Sequence, residues 1–395
     1  MFKIRKSDIP FLGLLIFICG SFSSSGYVQI ASLGMFIILS INKMHFTGLD
    51  NQSRYQMFFS LFVAISFLWA AKVPQLFTLN IGMVVSMLGI LYAAIFFNSY
   101  LNEEKDYKKT LNIILISLVY LLLQLFLKVP LNHIIDYSYW DDFGMNKNAT
   151  GMNLAWGCLI CFYIIYNKLS NKLRYKILFL VFIIFVVIAS SRKALLILVM
   201  SIPLYLLLYE KNSKLVRNIF FITLMGGVSL YILFEIPYFY QLIGLKIENL
   251  FLAMFKVGGN ATEDKSILER TFFKTYAINM FNENMLTRTI GNGLNAFQSE
   301  MFRINYSNVA YSHCNYTELL CNYGIIGFFV YYYYKCKLVL QIFNKKRKNK
   351  TTVFFLIVLL ISIVFEYGFV SYFTIFNQVL LLFVIRGIVN HKIFD

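Results

Sequence analysis

Long apolar runs separated by short polar segments make up most of the chain. An α-helix needs about 20 apolar residues to cross a hydrocarbon core about 30 Å thick. Because lipid offers no hydrogen-bond partners, such runs must satisfy their backbone groups internally, as helices do. The pattern predicts about 12 membrane-spanning helices, at residues 10–24, 26–42, 56–72, 77–98, 110–127, 151–167, 175–190, 193–209, 217–235, 317–334, 352–368 and 372–389.

The composition excludes a soluble globular domain. Of the 395 residues, 59% are hydrophobic, 18% are aromatic and 14% are charged, and the mean hydropathy is +0.66. About 25% of the residues in a soluble domain are charged. We therefore predict an all-α, polytopic membrane protein in which residues 1–395 form a single integral membrane domain.

The lysines and arginines predict the orientation of these helices. Taking the amino terminus as cytoplasmic places the basic clusters around Lys105, Lys172, Lys214 and Lys346 on the same side. This is the bias of the positive-inside rule, and it predicts that both termini are cytoplasmic. The net charge of +17 is then explained by topology and by contact with anionic lipid headgroups, so it does not indicate a nucleic-acid partner.

The same topology leaves two substantial segments outside the cytoplasm. One is residues 128–150, and the other is a large extracytoplasmic loop at residues 236–316. Loops of that length without internal structure are uncommon unless they carry function. We therefore expect any chemistry to face outward.

An outer turn with two cations interrupts the apolar pattern. Ser190, Ser191, Arg192 and Lys193 follow one apolar run and precede another. Charged residues at membrane depth usually line a cavity or a substrate pathway. The alternative is that both side chains reach out to lipid headgroups from helix ends.

Residues 264–284 form a second interruption with helical periodicity. Phe273, Ala277, Met280 and Phe281 recur at the spacing of one helix face, and Arg270 and Lys274 form an i, i+4 pair on another face. The pattern predicts an amphipathic helix at the outer membrane surface. Here too, both cations could simply contact headgroups.

Glycines punctuate the region that follows. Gly291 and Gly293 suit a tight turn after the surface helix. Gly324 and Gly327 lie in the next apolar run and would let a neighbouring element approach closely.

Polar residues cluster at the starts of two predicted spans. Asn315 and Glu318 have the spacing of a capping box, with Asn in place of Ser or Thr. His313 precedes them and could be a hydrogen-bonding residue or a catalytic one. Asn148 lies in a polar turn before the sixth predicted span.

In order and spacing, these motifs resemble the O-antigen polymerase and ligase family, the Wzy-type polymerases and their relatives. Cys314 stands between His313 and Asn315, which are often adjacent in that family. The resemblance rests on Gly144 and Asn148, on Ser191 and Arg192 followed by Ala194 to Leu196, on Arg270, on Gly291 and Gly293, and on the run from His313 to Gly327.

The resemblance implies a metal-independent membrane glycosyltransferase of the GT-C class, without a cofactor, acting on undecaprenyl-diphosphate-linked oligosaccharide. A lipid diphosphate requires fixed cations, and arginine binds phosphate oxygens bidentately without losing its charge. We assign Arg192 and Arg270 to the diphosphate, with Lys193 and Lys274 as weaker contributors.

The acceptor hydroxyl must lose a proton, and His313 is the expected catalytic base. Glu318 and Glu366 are the alternative bases. Asn148, Asn315 and Glu318 are expected to bind substrate. No cluster of acidic residues lies beside these groups as a magnesium site would need.

The preferred hypothesis is a polysaccharide polymerase, for O-antigen or capsule, in the bacterial cytoplasmic membrane with its active face outward. Its expected partners are membrane lipid, a chain-length regulator and a flippase. A ligase that transfers the finished glycan is the close alternative. A transporter or flippase is the alternative from another class, but the chain lacks the internal repeat that transporters often show.

The topology is directly testable. In a variant lacking the six native cysteines, a cysteine placed at Asn260 should react with a membrane-impermeant thiol reagent added outside intact cells. A cysteine placed at Asn349 should react only after the cells are opened. The reverse pattern would overturn the orientation, and with it the outward-facing chemistry.

Overall fold

The computed structural model describes residues 5–23, 25–70, 73–134, 139–170, 172–209, 235, 265–304, 310–343 and 349–390. Within these ranges the chain forms α-helices joined by turns and short 3-10 segments, and no strand. The helices are α1 (Ile9–Ser21), α2 (Gly26–Ser40), α3 (Asn51–Ser66), α4 (Phe77–Tyr100), α5 (Glu104–Lys128), α6 (Lys147–Tyr166), α7 (Leu173–Ile188), α8 (Arg192–Tyr209), α9 (Lys265–Asn282), α10 (Met285–Ile290), α11 (Ala296–Arg303), α12 (Asn315–Phe343), α13 (Lys350–Phe365) and α14 (Ile375–Val389).

Each predicted span overlaps one of these helices, apart from residues 217–235, which lie outside the described residues except for Glu235. Four of the described helical segments are long and apolar enough to cross a membrane, and α13 and α14 are shorter apolar helices. The four segments are Gly26–Lys43, Pro74–Tyr100, Glu104–Lys128 and Lys147–Tyr166. The chain is an all-α membrane protein, as predicted, and the number of spans stays a prediction.

The described residues divide into two compact units. Unit 1 comprises residues 1–117, 270–347 and 358–395, and unit 2 comprises residues 118–269 and 348–357. In unit 1, α1 packs along α2, where small residues allow close contact, as is common between membrane helices. A Cβ atom on Gly20 would lie 2.2 Å from Ser32 Oγ, and the Phe17 and Phe36 rings stack at 5.2 Å.

Unit 2 is built around α6, which packs against α7 and α8. Gly157 of α6 leaves room for Phe182 of α7, because a Cβ atom there would lie 2.8 Å from the Phe182 ring. At the C-terminal end of α6, the Asn167 side-chain amide donates to the Tyr205 hydroxyl of α8 over 2.7 Å. Tyr163 stacks on Phe354 of α13 at 4.1 Å.

A turn docks onto a break in α12 within unit 1. Gly324 has a left-handed φ of 63° and interrupts the helix. Such a break deprives the carbonyls one turn earlier of their helical partners. Two backbone N–H groups of the turn after α10 fill those places: Asn292 N donates to Cys321 O over 2.9 Å, and Gly293 N donates to Asn322 O over 2.8 Å.

This docking confirms the tight turn predicted at Gly291 and Gly293 and the close approach predicted at Gly324. Gly291 and Gly293 have φ values of 79° and 97°, which suit glycine alone without strain. A Cβ atom on Gly291 would lie 2.3 Å from Asn322 O, and one on Gly324 would lie 2.5 Å from the Thr289 backbone. The approach is therefore backbone to backbone.

Alanine at the break should destabilise unit 1. Gly324→Ala forces a side chain into a left-handed conformation, which costs about 1–2 kcal/mol, and pushes it against the Thr289 backbone. We expect a loss of at least about 2 kcal/mol, read as a lower midpoint of thermal unfolding in detergent. The matched control is Gly82→Ala within α4, where a Cβ atom meets nothing within 4 Å and helix propensity favours alanine. Equal midpoints for Gly324→Ala and Gly82→Ala would refute this account of the break.

Candidate functional site

A buried carboxylate joins the start of α12 to the segment between α13 and α14 in unit 1. Glu366 is 1% exposed and accepts hydrogen bonds from Tyr331 OH (2.7 Å), Tyr332 OH (2.6 Å) and Ser371 Oγ (2.5 Å). The Asn315 side-chain amide donates to it as well, over 3.2 Å. Charge-assisted hydrogen bonds of this kind are the strong ones in proteins, so Glu366 holds the two segments together.

The side-chain amide of Asn315 uses both of its donors and both acceptor positions to join α12 to the segment between α13 and α14. Its Oδ1 accepts from the backbone N–H groups of Ser371 (3.0 Å) and Tyr372 (3.1 Å), and its amide nitrogen donates to Tyr332 OH and Glu366. Its own backbone N–H donates to the Glu366 carbonyl over 2.8 Å. The residue directly after Cys314 is thereby fixed on every side.

The predicted capping box is wrong, and the reason is geometric. Because the Asn315 backbone N–H is already bound by the Glu366 carbonyl, Glu318 turns to an earlier donor. Its carboxylate accepts from Ser312 N over 2.7 Å and from Gln298 Nε2 of α11. Glu318 is completely buried, so this placement favours a positioning role over direct contact with substrate.

His313 lies between Ser312 and Asn315, which are both held by hydrogen bonds. Its backbone conformation is unusual. Its φ is +56°, in the left-handed region that costs a non-glycine residue about 1–2 kcal/mol. Such conformations persist only where surrounding contacts impose them, and they often occur at functional sites. Here the contacts that hold Ser312 and Asn315 impose the conformation of His313. The half-buried His313 ring stacks on Phe273 of α9, with centroids 5.8 Å apart.

The amphipathic helix predicted at residues 264–284 is present as α9. Its apolar stripe, however, packs against protein. Phe273, Ala277 and Met280 are buried in a cluster with Ala296, Phe297, Met301 and Cys321. Leu268 and Phe272 of the same helix are exposed, and the position of α9 at the membrane surface stays a prediction.

The two predicted cations of α9 lie close to the histidine. Arg270 is half-buried and is three residues from Phe273, which contacts His313; side chains at that spacing are neighbours on a helix. Lys274 Nζ lies 3.8 Å from the centre of the Tyr367 ring. Tyr367 is the residue that follows Glu366 in the chain. The structure therefore brings Arg270, Lys274 and His313 to one part of unit 1.

In unit 2, the predicted turn at residues 190–193 lies against the start of α6. Ser190 has a left-handed φ of 49°, Ser191 is fully buried, and α8 begins at Arg192. A Cβ atom on Gly151 of α6 would lie 3.0 Å from Ser191 Cβ, so the first turn of α6 lies against this turn. Arg192 and Lys193 are both half-buried.

Arg192 is placed where a helix disfavours a cation. The free N–H groups at a helix N-terminus attract anions and repel positive side chains. In the same unit Asn148 is exposed in the first turn of α6, and Asn146, not Asn148, caps that helix by accepting from Ala149 N over 2.9 Å.

Across the described part of the chain, no group of three or more His, Cys, Asp or Glu side chains is arranged to hold a metal ion. Metal independence stays a prediction. The sequence did not indicate Gln298, which contacts Glu318 from a separate helix. It also did not indicate Tyr331, Tyr332 and Ser371, which donate to Glu366.

The comparison with protein families bears on this arrangement. A family model described as O-antigen ligase matches residues 177–332, a range that includes Arg192, Arg270, His313 and Glu318. The predicted resemblance is thus confirmed. A search of curated proteins found no match to this chain.

The match and the apolar helices together define the class. The chain is an all-α integral membrane protein, and the similarity of residues 177–332 to the O-antigen ligase family supports a function of the O-antigen ligase or polymerase type. Members of this family are membrane glycosyltransferase-like enzymes, and their substrates are lipid-linked oligosaccharides.

Proposed function

We propose that this protein is a polysaccharide polymerase that transfers a growing glycan from undecaprenyl diphosphate to a lipid-linked repeat unit on the extracytoplasmic side. The observation that carries the proposal is the position of His313 against α9, the helix that bears Arg270 and Lys274. A proton acceptor beside fixed cations is the arrangement that glycan transfer from a lipid diphosphate requires.

The reaction makes one bond and breaks one. The acceptor hydroxyl oxygen attacks the anomeric carbon, and the bond from that carbon to the diphosphate oxygen breaks. The hydroxyl proton passes to the His313 imidazole, which can accept a proton near neutral pH. The electron pair of the broken bond leaves with the diphosphate, which gains negative charge.

Arg270 and Lys274 stabilise that developing charge. Fixed cations aimed at charge that appears in the transition state are often the largest contribution to catalysis. Arg270 provides a planar fork that matches two phosphate oxygens, whereas Lys274 provides a point charge. In unit 2, Arg192 at the N-terminus of α8 is proposed to bind lipid diphosphate for the same reason, with Lys193 and Asn148 as further substrate contacts.

Glu318 and Asn315 act on His313 through the chain. Glu318 fixes Ser312, and Glu366 and Ser371 fix Asn315. His313 lies between Ser312 and Asn315 in the chain, so its position depends on these contacts. Glu366 accepts from four side-chain donors, which makes it a poor catalytic base. His313 therefore remains the proposed base.

A ligase is the second candidate, because the matching family is described as O-antigen ligase. A ligase would break the same bond to the lipid diphosphate, with the same cations and base. It would differ in its acceptor, which would be another molecule in place of the next repeat unit. Supplying each acceptor to the purified protein with the same donor distinguishes the two.

Variants of Arg270 and His313 test the proposal in a strain that lacks the native copy. Arg270→Lys keeps the charge but loses the bidentate fork, so we expect long-chain polymer to fall at least about tenfold. Arg270→Ala should be at least as impaired. His313→Ala should reduce polymer by about 100-fold or more, because general base catalysis supplies that much. Polymer length and amount on gels are the measurement, with the membrane abundance of each variant determined.

Arg288→Ala is the matched control. Arg288 is an exposed arginine of α10 that donates to the Asn282 carbonyl, and its loss should leave polymer length unchanged. Normal polymer from an abundant Arg270→Ala variant would remove the proposed role of α9. Equal losses for Arg270→Ala and Arg288→Ala would show that the effect is general to the region.

A further inference from the structure

Lys335 of α12 is a buried cation whose ammonium group makes no hydrogen bond to the described residues. The residue is 7% exposed, and its Nζ lies 3.2 Å from the centre of the Tyr331 ring. Ring contact of this kind attracts a cation, but it satisfies none of the three N–H donors of an ammonium group. A buried charge without such partners is costly.

A small cavity adjoins this ammonium group in unit 1. Its volume is about 30 Å³, and it is lined by residues of α3, α12 and α14. Gln52 and Gln56 come from α3, Lys335 from α12 and Gln378 from α14; the other lining residues are aromatic or aliphatic. The lining thus contains one cation and no carboxylate.

The carboxylate of Glu366 does not supply a hydrogen-bond acceptor for the Lys335 ammonium group. Tyr331 contacts both residues: its ring lies against Lys335, and its hydroxyl donates to Glu366 over 2.7 Å. Tyr332, Ser371 and Asn315 donate to the same carboxylate. Its oxygens accept from those four donors, and the Lys335 ammonium group remains without a hydrogen-bond partner in the described part of the chain.

We propose that this cavity is a binding site for a small inorganic anion of the halide class, such as chloride, held by Lys335. The cavity exceeds the roughly 10–15 Å³ that one bound water needs, so it admits a monoatomic anion. In a low-dielectric interior an anion in contact with the ammonium group offsets part of the cost of burying that group.

Neighbouring amides can complete the coordination of the anion. Gln52 donates one N–H to the Leu382 carbonyl, and Gln56 donates one to Ser60 Oγ. A side-chain amide carries two N–H donors, so each of these glutamines retains a second one. The site therefore offers an ammonium group and two amides to an anion.

The test is the halide dependence of stability in the purified full-length protein. Thermal unfolding in detergent is measured in sodium chloride, sodium bromide and sodium gluconate at equal ionic strength. We expect the halides to raise the unfolding midpoint relative to gluconate, with a shift that grows with the logarithm of the halide concentration. Lys335→Met should abolish the difference between salts.

Lys337→Met is the matched control, because Lys337 is an exposed lysine two residues along the same helix. It should keep the wild-type response to halide. Should Lys335→Met fail to fold, the wild-type protein in bromide decides: an anomalous scattering peak within hydrogen-bond distance of Lys335 Nζ supports the site. Identical midpoints in chloride and gluconate for the wild type, or water in place of bromide at Lys335, would overturn the proposal.

Discussion

A buried carboxylate that lacks an ion pair must be surrounded by hydrogen-bond donors, and this requirement organises unit 1. Glu318 and Glu366 are both buried, and neither forms an ion pair with any residue that the structure describes. Leaving such a group without donors costs several kcal/mol. Each therefore draws in donors from distant parts of the sequence: Gln298 and Ser312 for one, Asn315, Tyr331, Tyr332 and Ser371 for the other.

The same demand for satisfied polar groups operates on the backbone. Gly324 breaks α12 and exposes two carbonyls, and the turn through Gly293 supplies the N–H groups that they need. These connections place α10 and α11 against α12 and provide the surface on which the apolar stripe of α9 packs. His313 and the cations of α9 are brought together as a result, so the candidate site follows from how buried polar groups are satisfied.

Much of this fold could be predicted from the sequence, because membrane thickness and helical periodicity are local constraints. Apolar length predicted where most of the described helices lie, and the recurrence of Phe273, Ala277 and Met280 predicted α9. What covers that stripe could not be predicted, because an apolar face suits lipid and protein equally well. The partners of Glu318 were missed for a related reason: local spacing suggested Asn315, whereas the donors are Ser312 and Gln298 of another helix.

The central claim is that the protein itself makes a glycosidic bond at the expense of a lipid diphosphate. The most direct measurement supplies purified protein in detergent, with no sealed compartment, with lipid-linked repeat units and follows glycan length and release of the lipid diphosphate. The account predicts longer glycans, one lipid diphosphate released for each bond formed, and the same rate with a metal chelator present. Movement of lipid-linked units across a vesicle membrane without any new bond would contradict it and favour a transporter.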